Sequence, residues 1–182
     1  MTHATRTARS DGLAATDLAQ LLDLVRVCWP DDGFSADDLD HAMGGVHWLA
    51  EQDGRIVGHA SVVERAIHVA GRPMRTGYVE AVAVHPAWRH RGIATELMAQ
   101  AGDHIRAHFE LGVLSTGVHD LYVRAGWERW RGPAFIRPAS GGPDARTEDE
   151  DDGIMILRTS ATPADLDLAA PIACEERPGD SW

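Results

Sequence analysis

The sequence lacks the patterns that mark membrane proteins and secreted disulfide-rich proteins. Its 182 residues include two cysteines, Cys28 and Cys174, which form neither a disulfide framework nor a CxxC metal motif. No apolar run approaches the roughly 18 residues of a membrane span, and residues 1–10 lack the apolar core of a signal peptide. We therefore expect one cytoplasmic domain, residues 1–182, with no membrane partner.

Basic charge is scarce. The chain has 17 Lys and Arg against 28 Asp and Glu, which gives a formal net charge of -11. Because binding to phosphate backbones requires a basic surface, nucleic acid is disfavoured as a partner. The excess of carboxylates favours a cationic partner or substrate. A role in solubility explains the negative charge equally well. Only the positions of the carboxylates can distinguish these two explanations.

Metal-binding motifs are also missing. His104 and His108 have the spacing of two zinc ligands on one helix face, but there is no HExxH motif and no third ligand stands out. A solvated helix face explains this pair, and we expect no metal.

The most informative stretch is residues 78–98, YVEAVAVHPAWRHRGIATELM. Residues 78–84 alternate aromatic, β-branched and small side chains, which predicts a buried strand. His85-Pro86 ends this strand, because proline cannot donate to a ladder of hydrogen bonds. From Ile93, apolar residues recur at helical spacing and predict a helix to about His108.

The segment between this strand and this helix is suited to binding an anion. Gly92 and Ala94 keep side chains away from the helix start, where backbone N–H groups and the helix dipole attract negative charge. Arg89 and Arg91 add positive charge. The segment has neither the Lys-Ser/Thr of a Walker A loop nor the GxGxxG of a dinucleotide turn. We predict a pyrophosphate site, with an ordinary basic helix start as the alternative.

The order of the remaining elements predicts the fold class. A helix between the strand at 78–84 and a strand at 112–115 makes those two strands parallel. The fold is therefore α+β, with a mixed, mostly antiparallel sheet and one parallel strand–helix–strand unit. Further predicted strands lie at 5–8, 47–51, 55–69, 127–130 and 153–157. Predicted helices lie at 18–25, after Ser35 and at 118–124, with turns at Asp53-Gly54 and 70–73 and a long loop at 137–152.

Two motifs resemble the GNAT superfamily of N-acetyltransferases. They are Arg89-x-x-Gly92-x-Ala94, which resembles its acyl-CoA-binding motif, and Leu121-Tyr122 followed by Gly126-Trp127. The resemblance implies acetyl-CoA as cosubstrate and a sheet whose two parallel strands splay apart around the pantetheine arm. The residues expected to bind acetyl-CoA are Val82, Ala83, Val84, Arg89, His90, Arg91, Gly92, Ala94 and Thr95.

Amine acetylation requires a general base and a general acid. Glu80 is a carboxylate in an apolar strand, which is costly without a function or a partner. As the base it would take the proton of a substrate ammonium; pairing with a basic neighbour such as Arg75 is the alternative. The resemblance implies that Tyr122 protonates the CoA thiolate; a packed aromatic with a satisfied hydroxyl is the alternative.

Longer segments resemble one family, the aminoglycoside 2'-N-acetyltransferases, over nearly the whole chain. Asp151-Asp152-Gly153 and Gly179-Asp180-x-Trp182 are the most specific, since a generic GNAT protein has no reason to share them. The other matching segments are residues 41–47, 77–84, 88–89, 111–115, 126–127 and 130–133.

This resemblance implies that the protein acetylates the 2'-amino group of aminoglycoside antibiotics, that it confers resistance, and that it is a homodimer. Separate acidic segments would then meet on a polycationic sugar. The residues that the resemblance places against substrate are Asp38, Glu80, Ser115, Asp151, Asp152, Asp180 and the terminal carboxylate of Trp182, and we expect the tail to pack back onto the protein.

Four departures from the family concern the substrate rather than acetyl-CoA. Gly33 stands where an aspartate is expected, and Asp31 or Asp32 could substitute for it. Ala81 replaces a glycine, the loop before Tyr122 is shorter, and the acidic loop is longer. Two other functions stay open. One is acetylation of another cationic amine, such as an amino sugar, polyamine or peptide. The other is a non-catalytic acyl-CoA sensor, against which the presence of both proposed catalytic residues argues.

Overall fold

The computed structural model describes residues 3–30 and 36–182, which contain four α-helices and ten strands. The helices are α1 Ala15–Cys28, α2 Ala36–Ala42, α3 Ile93–His108 and α4 His119–Arg124. The strands are β1 Ala4–Arg9, β2 Val46–Gln52, β3 Arg55–Val69, β4 Arg72–Val84, β5 Leu111–Ser115, β6 Glu128–Arg129, β7 Ala134–Arg137, β8 Ala145–Arg146, β9 Ile154–Arg158 and β10 Ile172–Glu175.

The described residues form two compact units. The first takes its residues from 3–63 and Val79–Asp103, and the second consists of Glu64–Tyr78 and His104–Trp182. Strands β3 and β4 and helix α3 each supply residues to both units. The prediction of one domain over residues 1–182 stays a prediction.

In the first unit, three antiparallel strands carry α1. Strand β2 pairs with β1 on one side and with β3 on the other. The two-residue turn Asp53-Gly54 has positive φ at both positions, 50° and 74°, as a type I′ hairpin turn requires. This hairpin was predicted and is confirmed. The core of the unit contains Leu21, Leu24, Leu49, Ile56 and Ala83, from α1, β2, β3 and β4.

Close packing in this unit fixes the start of α3. A β-carbon on Gly58 of β3 would lie 2.6 Å from Ile93 Cγ2 and 3.3 Å from a methyl carbon of Leu97. Only glycine allows the first turns of α3 to approach β3 this closely. The absence of a side chain at Gly58 therefore lets α3, which follows the predicted pyrophosphate segment, pack closely against β3.

In the second unit, the first residues of β4 pair with β5 in parallel. The paired residues are Thr76 with Leu111, Gly77 with Gly112 and Tyr78 with Val113. The parallel strand–helix–strand unit predicted from the sequence is thereby confirmed. Beyond β5, strands β9 and β6 follow with antiparallel pairing.

The other strands of the second unit pair around β10. Strand β10 is antiparallel to the end of β3 and parallel to β7, which in turn pairs with β8. The chain thus has the mixed α+β sheet that the sequence predicted.

Several local predictions need correction. Strands β7, β8 and β10 were not predicted, and residues 145–150 of the predicted loop contain β8 and a short 3-10 turn at Glu148–Glu150. The predicted turn at 70–73 is restricted to Ala70-Gly71, because β4 already begins at Arg72. The helix cap predicted at Ser35 lies outside the described residues. Among those residues, none of the helices is both long and apolar enough to span a membrane.

Candidate active site

The predicted pyrophosphate segment is an exposed turn at the start of α3. His90 and Gly92 have positive φ, 62° and 83°, and the N–H of Glu96 donates to the Gly92 carbonyl at 3.0 Å, so Gly92 is the N-cap. The backbone N–H groups that follow Gly92 belong to the first turn of a 16-residue helix, which attracts anions. Arg89, His90, Arg91, Gly92 and Thr95 are exposed, and Ala94 is half-buried.

The two arginines also shape this turn. Arg89 Nε donates to the Val84 carbonyl at 3.2 Å, and Arg91 Nη2 donates to the Ala87 carbonyl at 3.3 Å. The Arg91 guanidinium lies 4.6 Å from the ring centre of Trp88. Each side chain is anchored by part of its guanidinium while its charge stays exposed. The arrangement can therefore bind a diphosphate without first ordering two long side chains.

Strand β4 is irregular where the catalytic base was predicted. Glu80 is half-buried, and Ala81 has φ +50°, a left-handed conformation that is rare for a residue with a β-carbon. Such a residue interrupts the alternation of a strand and re-aims the side chains beside it. The glycine that the family resemblance leads us to expect at position 81 fits this conformation. Of the three following residues predicted to hold the thioester, Ala83 is buried and Val82 and Val84 are half-buried.

The alternative partner of Glu80 is engaged elsewhere. Arg75 Nη1 donates to Glu64 Oε2 at 3.1 Å, and the guanidinium lies 4.9 Å from the ring centre of Phe109. Arg75 thus has partners of its own, and the alternative in which a basic neighbour pairs with Glu80 stays open.

Asp38, like Glu80, is a predicted substrate residue of the first unit. It lies in α2, and its Oδ1 is 3.9 Å from Nδ1 of His41. Asp31, Asp32 and Gly33 lie outside the described residues.

In the second unit, an acidic cavity of about 520 Å³ is formed by residues from the loop before β9 and from the C-terminal segment. Its lining includes four carboxylates and one guanidinium. Two of its polar atoms are buried without a hydrogen-bond partner among residues 3–30 and 36–182: Trp182 Nε1 and Thr147 Oγ1. The lining residues are Ile136, Arg146, Thr147, Glu148, Asp149, Glu150, Asp180 and Trp182.

Three carboxylates of this cavity were not among the predicted site residues, and Glu150 is the half-buried one, whereas Glu148 and Asp149 are exposed. Ser115 Oγ donates to Glu150 Oε2 at 2.9 Å. Burial raises the pKa of the Glu150 carboxyl, and the negative charges of Asp180 and Asp149 raise it further. Three neighbouring carboxylates in a partly buried site repel one another, and a bound cation would relieve that repulsion. The predicted site residues Ser115 and Asp180 are thus brought together through Glu150.

Asp151 holds the loop in place. Both of its carboxylate oxygens accept from the Arg146 guanidinium, and Oδ1 also accepts from the Ala134 backbone N–H at 3.0 Å. The Arg146 hydrogen bond lowers the pKa of Asp151. Asp152 is exposed and lines a second cavity, of about 530 Å³, together with Asp151. The predicted sugar contacts of both aspartates stay predictions.

The tail packs back as expected. Trp182 is 5% exposed, and its backbone N–H donates to Asp180 Oδ1 at 3.1 Å. Arg177 Nε donates to the Asp180 carbonyl at 2.9 Å. These contacts hold the Asp180 carboxylate and the Trp182 indole in the lining of the acidic cavity.

Tyr122 has features both of a general acid and of a packed aromatic residue, the two roles considered from the sequence. It is 7% exposed, and its ring packs edge-on against Trp127 with 6.4 Å between ring centres. Burial raises the pKa of the phenol, against the effect of a hydrogen bond with Thr116. A phenol with a raised pKa keeps its proton at neutral pH and can therefore serve as a proton donor.

The zinc-like histidine pair has a structural explanation. The rings of His104 and His108 stack with 4.3 Å between centres, and His108 Nδ1 donates to the His104 carbonyl at 2.8 Å. Within the described residues there is no group of three or more His, Cys, Asp or Glu side chains that could hold a metal ion.

Comparison with solved structures identifies the fold. The fold is similar to that of a GNAT family N-acetyltransferase from Escherichia coli, crystallised with CoA, at a TM-score of 0.65 and 16% identity over 94% of this chain and 89% of that one. It is also similar to a GNAT family acetyltransferase from Brucella melitensis, crystallised with acetyl-CoA, at a TM-score of 0.60 and 16% identity over 91% and 95%. The fold is that of a GNAT acetyltransferase.

The sequence agrees with the fold. Residues 11–130 match the acetyltransferase (GNAT) domain family, and the chain belongs to this family. It is 36% identical over 152 residues to an aminoglycoside 2'-N-acetyltransferase from Mycolicibacterium fortuitum, which covers 82% of this chain and 77% of that protein. The resemblances stated from the sequence motifs are confirmed.

Proposed function

We propose that this acetyltransferase transfers the acetyl group of acetyl-CoA to the 2'-amino group of an aminoglycoside. The acidic cavity is the observation that carries the proposal. Its carboxylates suit the several ammonium groups of an aminoglycoside, and its buried Trp182 Nε1 and Thr147 Oγ1 suit sugar hydroxyls, since a buried polar group without a partner is costly. The relative from Mycolicibacterium fortuitum supports the same substrate class.

Acetyl-CoA is the proposed acyl donor. Its diphosphate would lie on the exposed turn before α3, where Arg89, Arg91 and the helix N-terminus combine positive charge with backbone N–H donors. Two solved structures with this fold were crystallised with CoA or acetyl-CoA. Backbone N–H groups of Val82, Ala83 and Val84 are the proposed donors to the pantetheine arm and to the thioester carbonyl.

The chemical step needs three proton transfers. Glu80 takes the first proton of the attacking ammonium, directly or through a water molecule, so that the free amine forms a bond to the carbonyl carbon. The C–S bond then breaks, and Tyr122 gives its phenolic proton to the departing thiolate. The second proton that the nitrogen must lose to become an amide passes to the Tyr122 phenolate, directly or through a water molecule. The half-buried carboxylate and the buried phenol with its raised pKa support these two roles.

Each unit has its own set of residues proposed to bind substrate. In the first unit, Asp38 and Glu80 would contact the sugar. In the second unit, Glu150 is the principal charge contact, and Ser115 orients its carboxylate. Asp180 and Trp182 of the tail, together with Asp151 and Asp152, complete the proposed set.

A thiol-release assay with two paired substrates tests this proposal. Tobramycin carries a 2'-amine and kanamycin A carries a 2'-hydroxyl at the same position. We expect release of CoA thiol with tobramycin alone, and mass spectrometry of the product should show one added acetyl group.

Each other outcome changes a defined part of the proposal. Turnover with both compounds would indicate that the enzyme acetylates an amine at a position other than 2'. Turnover with polyamines or basic peptides but with neither aminoglycoside would replace the substrate class. Acetyl-CoA binding without turnover on any amine would indicate a sensor. The proposed homodimer is tested separately, by light scattering of the purified protein.

A further inference from the structure

Two fully buried histidines connect the strand that carries Glu80 to the loop before β2. His47 and His59 are each 0% exposed, and His47 Nδ1 lies 2.9 Å from His59 Nε2. His59 Nδ1 lies 2.8 Å from the Ala81 carbonyl oxygen, and His47 Nε2 lies 2.7 Å from Ser10 Oγ. Because His47 is registered opposite Ser61, the ring of His59 is its diagonal neighbour on the same face of the hairpin.

The chemistry of the two ends fixes the direction of every hydrogen bond. Burial lowers the pKa of His47 to about 4 and of His59 to about 3, so both rings are neutral at physiological pH and carry one N–H each. The Ala81 carbonyl can only accept, so His59 Nδ1 donates to it and His59 Nε2 is bare. His47 Nδ1 must then donate to His59 Nε2, and the bare His47 Nε2 accepts from the Ser10 hydroxyl.

The far end of this chain is firmly held. Ser10 Oγ accepts from the backbone N–H groups of Gly44 at 2.8 Å and Gly45 at 3.0 Å, so both of its lone pairs are used. A β-carbon on Gly45 would lie 1.9 Å from the Val62 carbonyl oxygen. The Gly45 backbone is therefore packed directly on β3 and provides a rigid anchor for Ser10 and His47.

At the other end of the hydrogen-bonded chain, Ala81 is held in a strained backbone conformation. The left-handed backbone conformation is disfavoured for a residue with a β-carbon, and such conformations persist where their surroundings over-determine them. At this point of β4, His59 fixes the Ala81 carbonyl, and Ser61 Oγ donates to the neighbouring Glu80 carbonyl at 3.3 Å. Two side chains of β3 thus hold the two successive carbonyls that flank the irregular residue.

We propose that Ser10, His47 and His59 are positioning residues for acetyl transfer: their hydrogen-bonded chain fixes the Ala81 peptide and so aims Glu80 and the Val82 N–H. This inference rests on the proposed roles of Glu80 and Val82. A backbone rotation at Ala81 would displace both groups at once, because they lie on its two sides. The hydrogen-bonded chain of Ser10, His47 and His59 cannot conduct protons to Glu80, since it ends on the Ala81 carbonyl oxygen.

The tautomers can be measured without any substrate. Long-range ¹H–¹⁵N correlation of the imidazole nitrogens in the wild-type protein should show His47 and His59 both protonated at Nδ1 and bare at Nε2. An Nε2–H tautomer at either ring would reverse the hydrogen bonds and overturn the inference.

Kinetics test the positioning role. His59→Phe keeps an aromatic ring but removes the donor to the Ala81 carbonyl. We expect kcat to fall on the order of 10²-fold, as small misplacements of reacting groups do, with KM for acetyl-CoA unchanged. The acid limb of the pH profile of kcat/KM, which reports the pKa of the general base in the free enzyme, should also shift. His59→Asn places an amide N–H near the position of Nδ1 and should restore most of kcat.

His68→Phe is the matched control. His68 lies on the same strand, is 8% exposed and belongs to the other unit. If His59→Phe and His68→Phe lose the same fraction of kcat while the acid limb stays in place, the loss reflects stability and the inference is wrong. If His59→Phe does not fold, the wild-type tautomers and the kcat of His59→Asn decide.

The inference and the proposed function can fail separately. If Glu80→Gln keeps full turnover while both tautomers are as expected, the error lies in the assigned base. If Glu80→Gln is inactive while His59→Phe matches the wild type, the hydrogen-bonded chain has no positioning role.

Discussion

Glu80 and Glu150 are the two half-buried carboxylates on which the proposed chemistry depends, and each belongs to a different unit. Glu80 lies in β4 beside Ala81, whose backbone has the left-handed conformation. Glu150 lies in a cluster of like charges, where the electrostatics are unfavourable without a cation. Their substitutions should therefore affect different kinetic constants.

Replacing Glu80 with glutamine should remove general base catalysis while keeping the shape of the side chain. We expect kcat to fall on the order of 10²-fold or more, with the Kd for acetyl-CoA unchanged by calorimetry. Glu64→Gln, which changes an exposed carboxylate of β3, is the control and should keep wild-type turnover. Unchanged turnover of Glu80→Gln at neutral pH would remove this residue from the mechanism.

Replacing Glu150 with glutamine should have opposite effects on binding and stability. KM for an aminoglycoside should rise about tenfold, the equivalent of one charge-assisted hydrogen bond, and KM for acetyl-CoA should not change. Because burial raises the pKa of this carboxyl, its charged form destabilises the folded protein once the pH exceeds that pKa. The variant should therefore melt at a higher temperature than the wild type at pH 8, and the difference should shrink towards pH 5.

Glu148→Gln provides the comparison for this variant. Glu148 belongs to the same acidic run but is exposed, so solvent screens its charge and KM should change less. If the two variants have equal KM values, Glu150 is not the principal charge contact.

At the level of the element, the turn before α3 combines the proposed anion site with a residue, Gly92, in the left-handed conformation. Gly92 has φ +83°, and a β-carbon added to it would meet no atom of the described residues within 4 Å, so a methyl group there strains the backbone without a clash. Gly71, in the turn between β3 and β4, has φ +79° and is equally open toward the described part of the chain. The two glycines form a matched pair in which one belongs to the proposed site.

Gly92→Ala and Gly71→Ala should therefore lower stability alike, by about 1 kcal/mol each. Only Gly92→Ala should raise KM for acetyl-CoA, because the strain tilts the N–H groups of the first helical turn away from the diphosphate. Urea unfolding and thiol-release kinetics measure the two effects. An equal rise of KM for acetyl-CoA in both variants would argue against a diphosphate at this turn.

At the level of the whole molecule, the buried histidines make stability depend on pH. Since their pKa values are about 4 and about 3 in the folded protein, they stay neutral in the fold while the unfolded chain takes up protons below its ordinary histidine pKa. Stability is fully present above that pKa and is lost as the pH falls. Each histidine contributes a slope of about 1.4 kcal/mol per pH unit in the interval between its two pKa values.

Urea unfolding between pH 7.5 and pH 5 measures this slope. We expect the free energy of unfolding to fall steeply below about pH 6.5, and a His47→Gln, His59→Gln double variant to lose most of that dependence. His90→Gln, at an exposed position, is the control and should keep the wild-type slope. A flat profile in the wild type would contradict the burial of the two rings as neutral groups.

Residues 78–98 could be interpreted from the sequence because their signals are local. A strand of alternating residues, a proline stop, two small residues at a helix start and an apolar helical face each depend on neighbours within a few positions. The hairpin at Asp53-Gly54 was predictable for the same reason, since both of its residues tolerate positive φ. Strands β7 and β10 were not predictable, because four-residue strands owe their existence to partners nearly 40 residues away.

The sequence by itself thus determined the class of fold, the turn proposed to receive the diphosphate, the candidate acid and base and the family to which the chain belongs. The tertiary structure decided which carboxylates are free to meet a cation: Asp151 is bound by Arg146, whereas Glu150 lies with Ser115 in the acidic cavity. It also decided that His47 and His59 meet behind Ala81. The physical reason is that charge repulsion, burial and hydrogen bonding depend on distances of a few ångströms in space, which positions along the chain do not specify.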